Sequence, residues 1–359
     1  MKVALVPWSE GMKNNNIFEP LKDGRENAHT LLKKAFVNNG DDINTIDVYT
    51  DYHDVDLFLF TVIDYAILAK IYKLGLEGRC VYCSGEPVVV KPDNCAEGYK
   101  RLGDMFPYFM TVDRNAVDNE RVFFRTLPYF DYPEWGSVPF EDKKLITNVS
   151  GNKHSNHPFE IYSVREELIS YFESRYPDQI DSYGPGWDVD KHPSYRGLCG
   201  SKAETYHYHK FALSLENTKN VPGYITEKIF DCFKYGIVPI YWGAPDVKDY
   251  IPENCFIDYM QFANNDELAE YLTNMTEETY NGYLDNIKRF VENEKMMEPF
   301  SSEEYYRNIY YLYENMRNSD FRVTFSRKNE VIIKSLFEKT NRMKSNIKRK
   351  LHYFRIYQK

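Results

Sequence analysis

Short runs of alternating or wholly apolar residues take turns along this chain with runs whose apolar positions recur three and four apart. KVALV at 2–6 and DLFLF at 56–60 are brief, β-rich and flanked by polar residues, so they predict strands. HTLLKKAFVNNG at 29–40 has helical spacing and predicts a helix ending near Gly40. A second helix is predicted through IDYAILAKIYKLG at 63–75, then strands in RCVYCSGEP at 79–87, YFMTVD at 108–113 and RVFFRTLPYF at 121–130. Strands that alternate with helices predict a parallel sheet covered on both faces.

The alternation restarts after DYPEWGSVPFED at 131–142, whose Pro, Gly and acidic residues mark a linker. KLITNVSG at 144–151 reads as a strand, followed by a helix carrying Leu168, Ile169 and Phe172, and IDSYGPGW at 180–187 as a strand entering a glycine turn. SKAETYHYHK at 201–210 reads as a helix. Residues 211–243 form the clearest unit: FALSL is a buried strand, ENTKNVPG a loop, Ile225, Ile229, Cys232 and Phe233 a helical stripe, and IVPIYW a further strand. CFIDYMQF at 255–262 reads as the last strand. Helices follow in DELAEYLTNM, ETYNGYLDNIKRFVEN and SEEYYRNIYYLYENMRN, the last with a Tyr-rich stripe expected to pack back on the protein.

A length of 359 residues exceeds what one hydrophobic core usually serves, so two domains are expected. The boundaries drawn from the pattern are 1–140, 141–300, a helical segment at 301–338 and a basic tail at 339–359. The net charge of −9 argues against a general nucleic-acid binder. Six cysteines include one C-x-x-C, Cys80 and Cys83. These lie in a predicted strand, where positions three apart face opposite ways, so buried thiols are expected rather than a zinc or redox site. MKVALVPWSEG turns polar within ten residues, and no long apolar span follows, so a reducing cytoplasmic location is expected.

Candidate chemistry gathers in the loop and first helical turn after FALSL, where Asn217, Tyr224, Glu227 and Lys228 meet at the carboxyl end of a strand. Open α/β sheets bind ligands at such edges. Free N–H groups at the helix start and the Lys228 charge suit phosphate oxygens, and a carboxylate such as Glu227 can accept from two sugar hydroxyls. The set suits a nucleotide sugar. The plainer alternative makes Glu227 a complement to the helix dipole and Lys228 a solvated lysine. No metal site is expected: His207 and His209 diverge if both are helical, and Asp188 and Asp190 sit in a turn-like loop.

The segment ALSLENTKNVPGYITEKIFDCFKYGIVPIYWGAP, with Tyr250, Ile251 and Pro252 and then CFIDYMQF, resembles the signature of the α1,3/1,4-fucosyltransferase family. The resemblance implies an α/β fold of two facing Rossmann-like domains (GT-B), GDP-β-L-fucose as donor, and inverting transfer to give an α-fucoside; with no metal site expected from the residues, no cofactor is expected either. By the same resemblance Glu86 matches the general base on the acceptor side, although Pro87 follows it directly where the family usually has another residue between. Arg165 matches the phosphate-binding arginine, a role that suits its bidentate fork. Val149 and Ser150 match the strand-end pair lining the nucleotide pocket, with backbone groups and the Ser hydroxyl as hydrogen-bond partners. Ala212 departs from the family, which often carries Tyr there.

The tail adds Arg342, Lys344, Lys348, Arg349, Lys350, Arg355 and Lys359 opposite Ile347, Leu351, Phe354 and Tyr357, a pattern that suits peripheral contact with anionic lipid. The combined expectation is an α1,3-type transferase at the inner face of a membrane. Its acceptor would be a glycan or glycolipid, such as an N-acetylglucosamine or glucose unit of a surface polysaccharide. Transfer of another GDP-linked hexose, or glycan binding without catalysis, are the alternatives.

Overall fold

The computed structural model describes residues 1–21, 26–129, 133–317 and 320–357, with 342–357 described as helical backbone alone. Its first sheet holds β1 (Lys2–Val6), β2 (Asp42–Thr45), β3 (Leu57–Phe60), β4 (Cys80–Cys83), β5 (Tyr108–Thr111) and β6 (Val122–Phe124). All pairs are parallel, in the order β2-β1-β3-β4-β5-β6. Both faces are covered, which is why LFLF and CVYC are buried at every position. Phe58, Phe60, Cys80 and Tyr82 face one core, and Leu57, Leu59, Val81 and Cys83 face the other. The two cysteines of the C-x-x-C thus point apart as free, buried thiols.

On the first of those faces lie α2 (Tyr65–Lys73) and α3 (Ala96–Leu102), and on the second α1 (Ala28–Asn38). Asn27 accepts from the N–H groups of His29 and Thr30, and Asp64 from those of Ala66 and Ile67, which start α1 and α2.

The second sheet repeats the plan with β7 (Lys144–Val149), β8 (Ile180–Tyr183), β9 (His209–Leu215), β10 (Val238–Trp242) and β11 (Ile257–Asp258), in the order β11-β10-β9-β7-β8, again all parallel. Around it pack α4 (Tyr162–Arg175), α5 (Lys202–His207), α6 (Glu227–Tyr235), α7 (Asn265–Thr273), α8 (Glu277–Val291) and the short α9 (Glu294–Met297). In each sheet the strand order reverses beside the first strand, which opens a crevice at the carboxyl ends there. Thr226 caps the start of α6, and Gly236, at φ 65°, ends it in the left-handed region.

Two helices then return to the first sheet. Along α10 (Ser302–Met316), Tyr305, Tyr306, Ile309, Leu312 and Met316 bury against the α1 face, with the Tyr306 ring edge-on to Phe36 at 4.9 Å. Tyr305 and Tyr306 of the Tyr-rich stripe are therefore core, whereas Tyr310 and Tyr311 are exposed. The next helix, α11 (Phe325–Tyr357), lies along α2, where Val331 is fully buried and Lys328 pairs with the buried Glu77 at 2.7 Å.

Several expected elements are shorter than the pattern suggested. The helix at 201–210 stops at His207, and His209 opens β9, because HKFALSL holds together as a strand paired on both edges. His209 is fixed by Thr205 O at 2.6 Å and Asp181 at 3.1 Å. CFIDYMQF is a strand only at Ile257–Asp258, after which Asp258 caps a 3-10 turn over Tyr259–Gln261. Phe130, Asp131 and Tyr132 of the expected strand end and linker lie outside the described residues, as do the side chains of the basic tail from Arg342 onward. Among the described residues no helix is long and apolar enough to cross a membrane.

Candidate functional site

A cavity of about 300 Å³ opens where β7 and β9 part, at the reversal point of the second sheet. Its wall includes Val149, Ser150, Arg165, Asn217, Tyr224, Glu227 and Lys228, so the residues singled out in the second half of the sequence share one pocket. A second cavity of about 590 Å³ sits at the corresponding point of the first sheet, by the ends of β1, β3 and β4. Glu86 and Glu227 border both cavities. The two spaces are neighbours in one cleft, with a carboxylate from each sheet between them.

Glu86 follows β4 and is exposed toward that cleft. Its backbone is held firmly: Asn94 Nδ2 donates to Glu86 O at 2.7 Å, and Glu86 N donates to Ser84 Oγ at 3.2 Å. Pro87, placed directly after it, starts a turn in which the N–H groups of Val90 and Lys91 donate to Pro87 O. The carboxylate thus projects from a rigid corner.

Lys228 is anchored from beneath. Its Nζ lies 3.1 Å from Glu216 Oε2, 3.1 Å from Thr226 Oγ1 and 3.7 Å from Glu227 Oε1. Burial works against the charged ammonium, but the Glu216 carboxylate beside it prevails and holds the Lys228 pKa above the ordinary lysine value. Lys228 is therefore neither solvated nor a free cation. Glu216, fully buried, also accepts from the N–H and hydroxyl of Thr226, each at 2.8 Å. That N–H, and the Lys228 N–H that reaches Thr226 Oγ1, are thus already used, so the helix start offers fewer free donors than expected.

Arg165 sits in the first turn of α4 and is 3% exposed. Its Nη2 donates to the carbonyls of Leu215 and Glu216 at the end of β9, and its Nε has no hydrogen-bond partner. Burial lowers its pKa from the usual arginine value. One edge of the guanidinium is spent on the backbone, and the cavity wall is completed by the rest.

Ser150 is held within the protein at three points. Its N–H donates to Tyr183 O at 3.0 Å, its carbonyl accepts from Trp187 Nε1 at 2.7 Å, and its hydroxyl donates to Asn148 Oδ1 at 2.8 Å. Val149 and Ser150 both line the pocket, where the Ser150 hydroxyl, its proton given to Asn148, keeps lone pairs to accept from a ligand. Asn217 reaches the buried Tyr224 hydroxyl at 3.5 Å. Ala212 is not part of the cavity wall but lies mid-strand among Tyr206, Cys232 and Ile237, so a larger residue there would meet core.

The structure adds residues that the pattern did not single out. Glu216, buried beneath Lys228, is one, although its neighbour Asn217 was singled out; Lys202 and Asp231, ion-paired to each other, and Tyr206 line the cavity itself. Among the described residues no group of three or more His, Cys, Asp or Glu is placed to hold a metal ion.

The family model described as "Glycosyltransferase family 10 (fucosyltransferase) C-term" matches residues 141–321, just over half of the chain. Over 65 residues the chain is 45% identical to an alpha-(1,4)-fucosyltransferase of Arabidopsis thaliana, covering 18% of this chain and 16% of the relative. It is 41% identical over 88 residues to the alpha-(1,3)-fucosyltransferase FucT of Helicobacter pylori, covering 24% and 18%. With the GDP-fucose protein O-fucosyltransferase 3 of Homo sapiens it shares 27% over 164 residues, covering 43% and 33%. The chain thus spans a third or less of the length of these relatives. Its fold is similar to the crystal structure of an alpha1,3-fucosyltransferase with GDP, at TM-score 0.55 and 17% identity over 90% of this chain and 92% of that one. It is also similar to Anabaena HepE in complex with UDP, at TM-score 0.52 and 10% identity over 88% and 100%. Both likenesses show the two-domain GT-B architecture.

Proposed function

Because the chain belongs to glycosyltransferase family 10, the fucosyltransferases, we propose that it is an inverting enzyme transferring L-fucose from GDP-β-L-fucose to a hydroxyl of a glycan. In this reading the diphosphate lies in the cavity of the second sheet, where Lys228 and the unpartnered Nε of Arg165 meet its oxygens. Asn217, Tyr224 and Glu227 bracket the ribose and the sugar, with Val149 and Ser150 supplying shape. Glu86, across the cleft, takes the proton of the acceptor hydroxyl as that oxygen attacks the anomeric carbon. The carbon–oxygen bond to GDP breaks on the opposite side, and the charge growing on GDP is met by Arg165 and Lys228 without a metal ion.

One observation carries the reading: Glu86 and Glu227, from opposite sheets, border both cavities, and Arg165 and Lys228 line only the cavity of the second sheet. In this reading acid-base chemistry falls to a carboxylate of the first sheet and charge neutralisation to cations of the second. The H. pylori relative's name supports an α1,3 linkage; the proposed acceptor is an N-acetylglucosamine or glucose unit of a surface polysaccharide or glycolipid. Basic residues from 339 onward support peripheral contact with the cytoplasmic face of a membrane. Calorimetry with GDP, set beside hydrolysis-corrected turnover of GDP-fucose, GDP-mannose and GDP-glucose, tests the donor. Failure to bind GDP, or equal use of all three sugars, would sink this reading.

A further inference from the structure

The cavity of the first sheet contains a buried cation that the proposed transfer does not use. Arg125 follows β6, is 5% exposed, and lines this cavity together with Trp8, His29, Lys91 and Glu86. Its hydrogen bonds go to neutral groups: Nη2 donates to Ser84 O at 3.1 Å and Nη1 to Thr126 O at 3.2 Å. The Tyr305 ring lies 4.9 Å from the guanidinium carbon, and Nε has no partner. Among the described residues no carboxylate forms an ion pair with it. A guanidinium held this way retains its charge and its capacity for an anion, because burying a charge without a counter-ion is costly and an incoming carboxylate relieves that cost.

Two further features fit a sugar that carries such a group. Trp8, at the end of β1, is 48% exposed with its ring 5.8 Å from that of His29, which leaves an aromatic surface at the cavity mouth for the apolar face of a pyranose. Arg125 is tied to Ser84, two residues before Glu86, so an anion bound at Arg125 belongs to the sugar whose hydroxyl meets Glu86 or to its immediate neighbour. Glu86 and Glu227 border this cavity as well as the other, and within it Lys91 and Arg125 supply the opposite sign. Burial and then Arg125 hold His29 below the ordinary histidine range, leaving a neutral imidazole that an anion would not have to displace.

Resting on the assignment of this side of the cleft to the acceptor, we infer that the acceptor is an acidic glycan, its uronic-acid-type carboxylate bound by Arg125 and its ring stacked on Trp8. The test uses the full chain and two probes that differ in one group, methyl β-D-glucuronide and methyl β-D-glucoside, titrated by NMR with and without GDP. The glucuronide is expected to bind about tenfold or more tightly than the glucoside, as a charge-assisted bond implies. Arg125→Gln should remove that preference while GDP affinity stays unchanged, Arg125→Lys should keep part of it, and Trp8→Ala should weaken both probes together. Equal binding of the two probes, or a preference that survives Arg125→Gln, overturns the inference. If Arg125→Gln does not fold, the ratio measured on the unsubstituted protein decides alone. Loss of GDP binding with the glucuronide preference intact would defeat the donor assignment and leave this one standing.

Discussion

Lys228 Nζ lies 3.1 Å from Oε2 of the fully buried Glu216, and that same oxygen accepts the Thr226 hydroxyl. A cation in the wall of the second-sheet cavity, the proposed donor site, is therefore also the counter-ion of a carboxylate in the core. Lys228→Ala should remove GDP binding and, by stranding a buried charge, destabilise the fold by about 3–5 kcal/mol. Adding Glu216→Gln should restore most of the stability, since the amide oxygen still accepts from Thr226, yet leave GDP binding absent. Urea unfolding and calorimetry on the two variants separate these roles. A double variant that binds GDP like the natural protein would show that Lys228 serves the fold alone.

Glu86→Gln should behave in the opposite way. The side chain is exposed and the corner beneath it is built from backbone bonds to Ser84 and Asn94, so neither stability nor GDP affinity should move. Turnover of GDP-fucose with acceptor should fall by roughly 10²–10⁴, the usual contribution of a positioned general base. Stopped assays at saturating donor measure this directly. Turnover within threefold of the original would hand the role of base to another group.

Why the sequence exposed one of these residues and hid the other is a matter of geometry. Asn217, Tyr224, Glu227 and Lys228 were legible because they crowd into one loop and one helical turn after a strand, and two periodicities locate that edge. Glu216 sits one position earlier, where a polar residue after FALSL reads as the start of a loop; only the fold folds Thr226 and Lys228 back over it. Arg165 is legible through the family resemblance, but not that half its fork would be taken by Leu215 and Glu216 carbonyls about fifty residues away. The stripe on α10 announced a buried face without naming its partner, since periodicity records that a face is covered and not what covers it. His209 was misread because a helix ending at His207 and a strand beginning two residues later share the same polar–aromatic alternation.

Gly223 ties the donor loop to the first sheet. It has φ 86°, and a Cβ there would come within 2.4 Å of the Phe124 ring and 3.0 Å of Val112 O. Its N–H donates to Asp246 Oδ1 at 2.7 Å, and beside it Arg114 N donates to Pro222 O at 3.0 Å. Gly223→Ala should cost about 1–2 kcal/mol for the left-handed backbone alone, with the contact to Phe124 in addition. Because Tyr224 is the next residue, donor affinity should fall along with the melting temperature. A variant with unchanged GDP affinity would mean that the loop's position on the first sheet does not shape the pocket.

Acid stability should depend on Asp181, on the strand beside β7. Lys144 Nζ donates to it at 2.7 Å, Arg196 Nε at 2.8 Å and His209 Nε2 approaches at 3.1 Å. Burial works to raise its pKa, and the bonds from His209 and Lys144 outweigh it, so the folded carboxyl lies well below the ordinary range. A depressed carboxylate gives stability that is fully present above its unfolded pKa of about 3.9 and is lost as pH falls toward the folded value. Asp181→Asn should therefore lower the melting temperature at pH 6 to 7, where the natural protein has the full benefit, and the gap should close as both are acidified below about pH 4. Calorimetric melts across that range measure it. A gap that is constant with pH would assign the effect to lost packing, and one that widens on acidification would reverse the sign of the linkage.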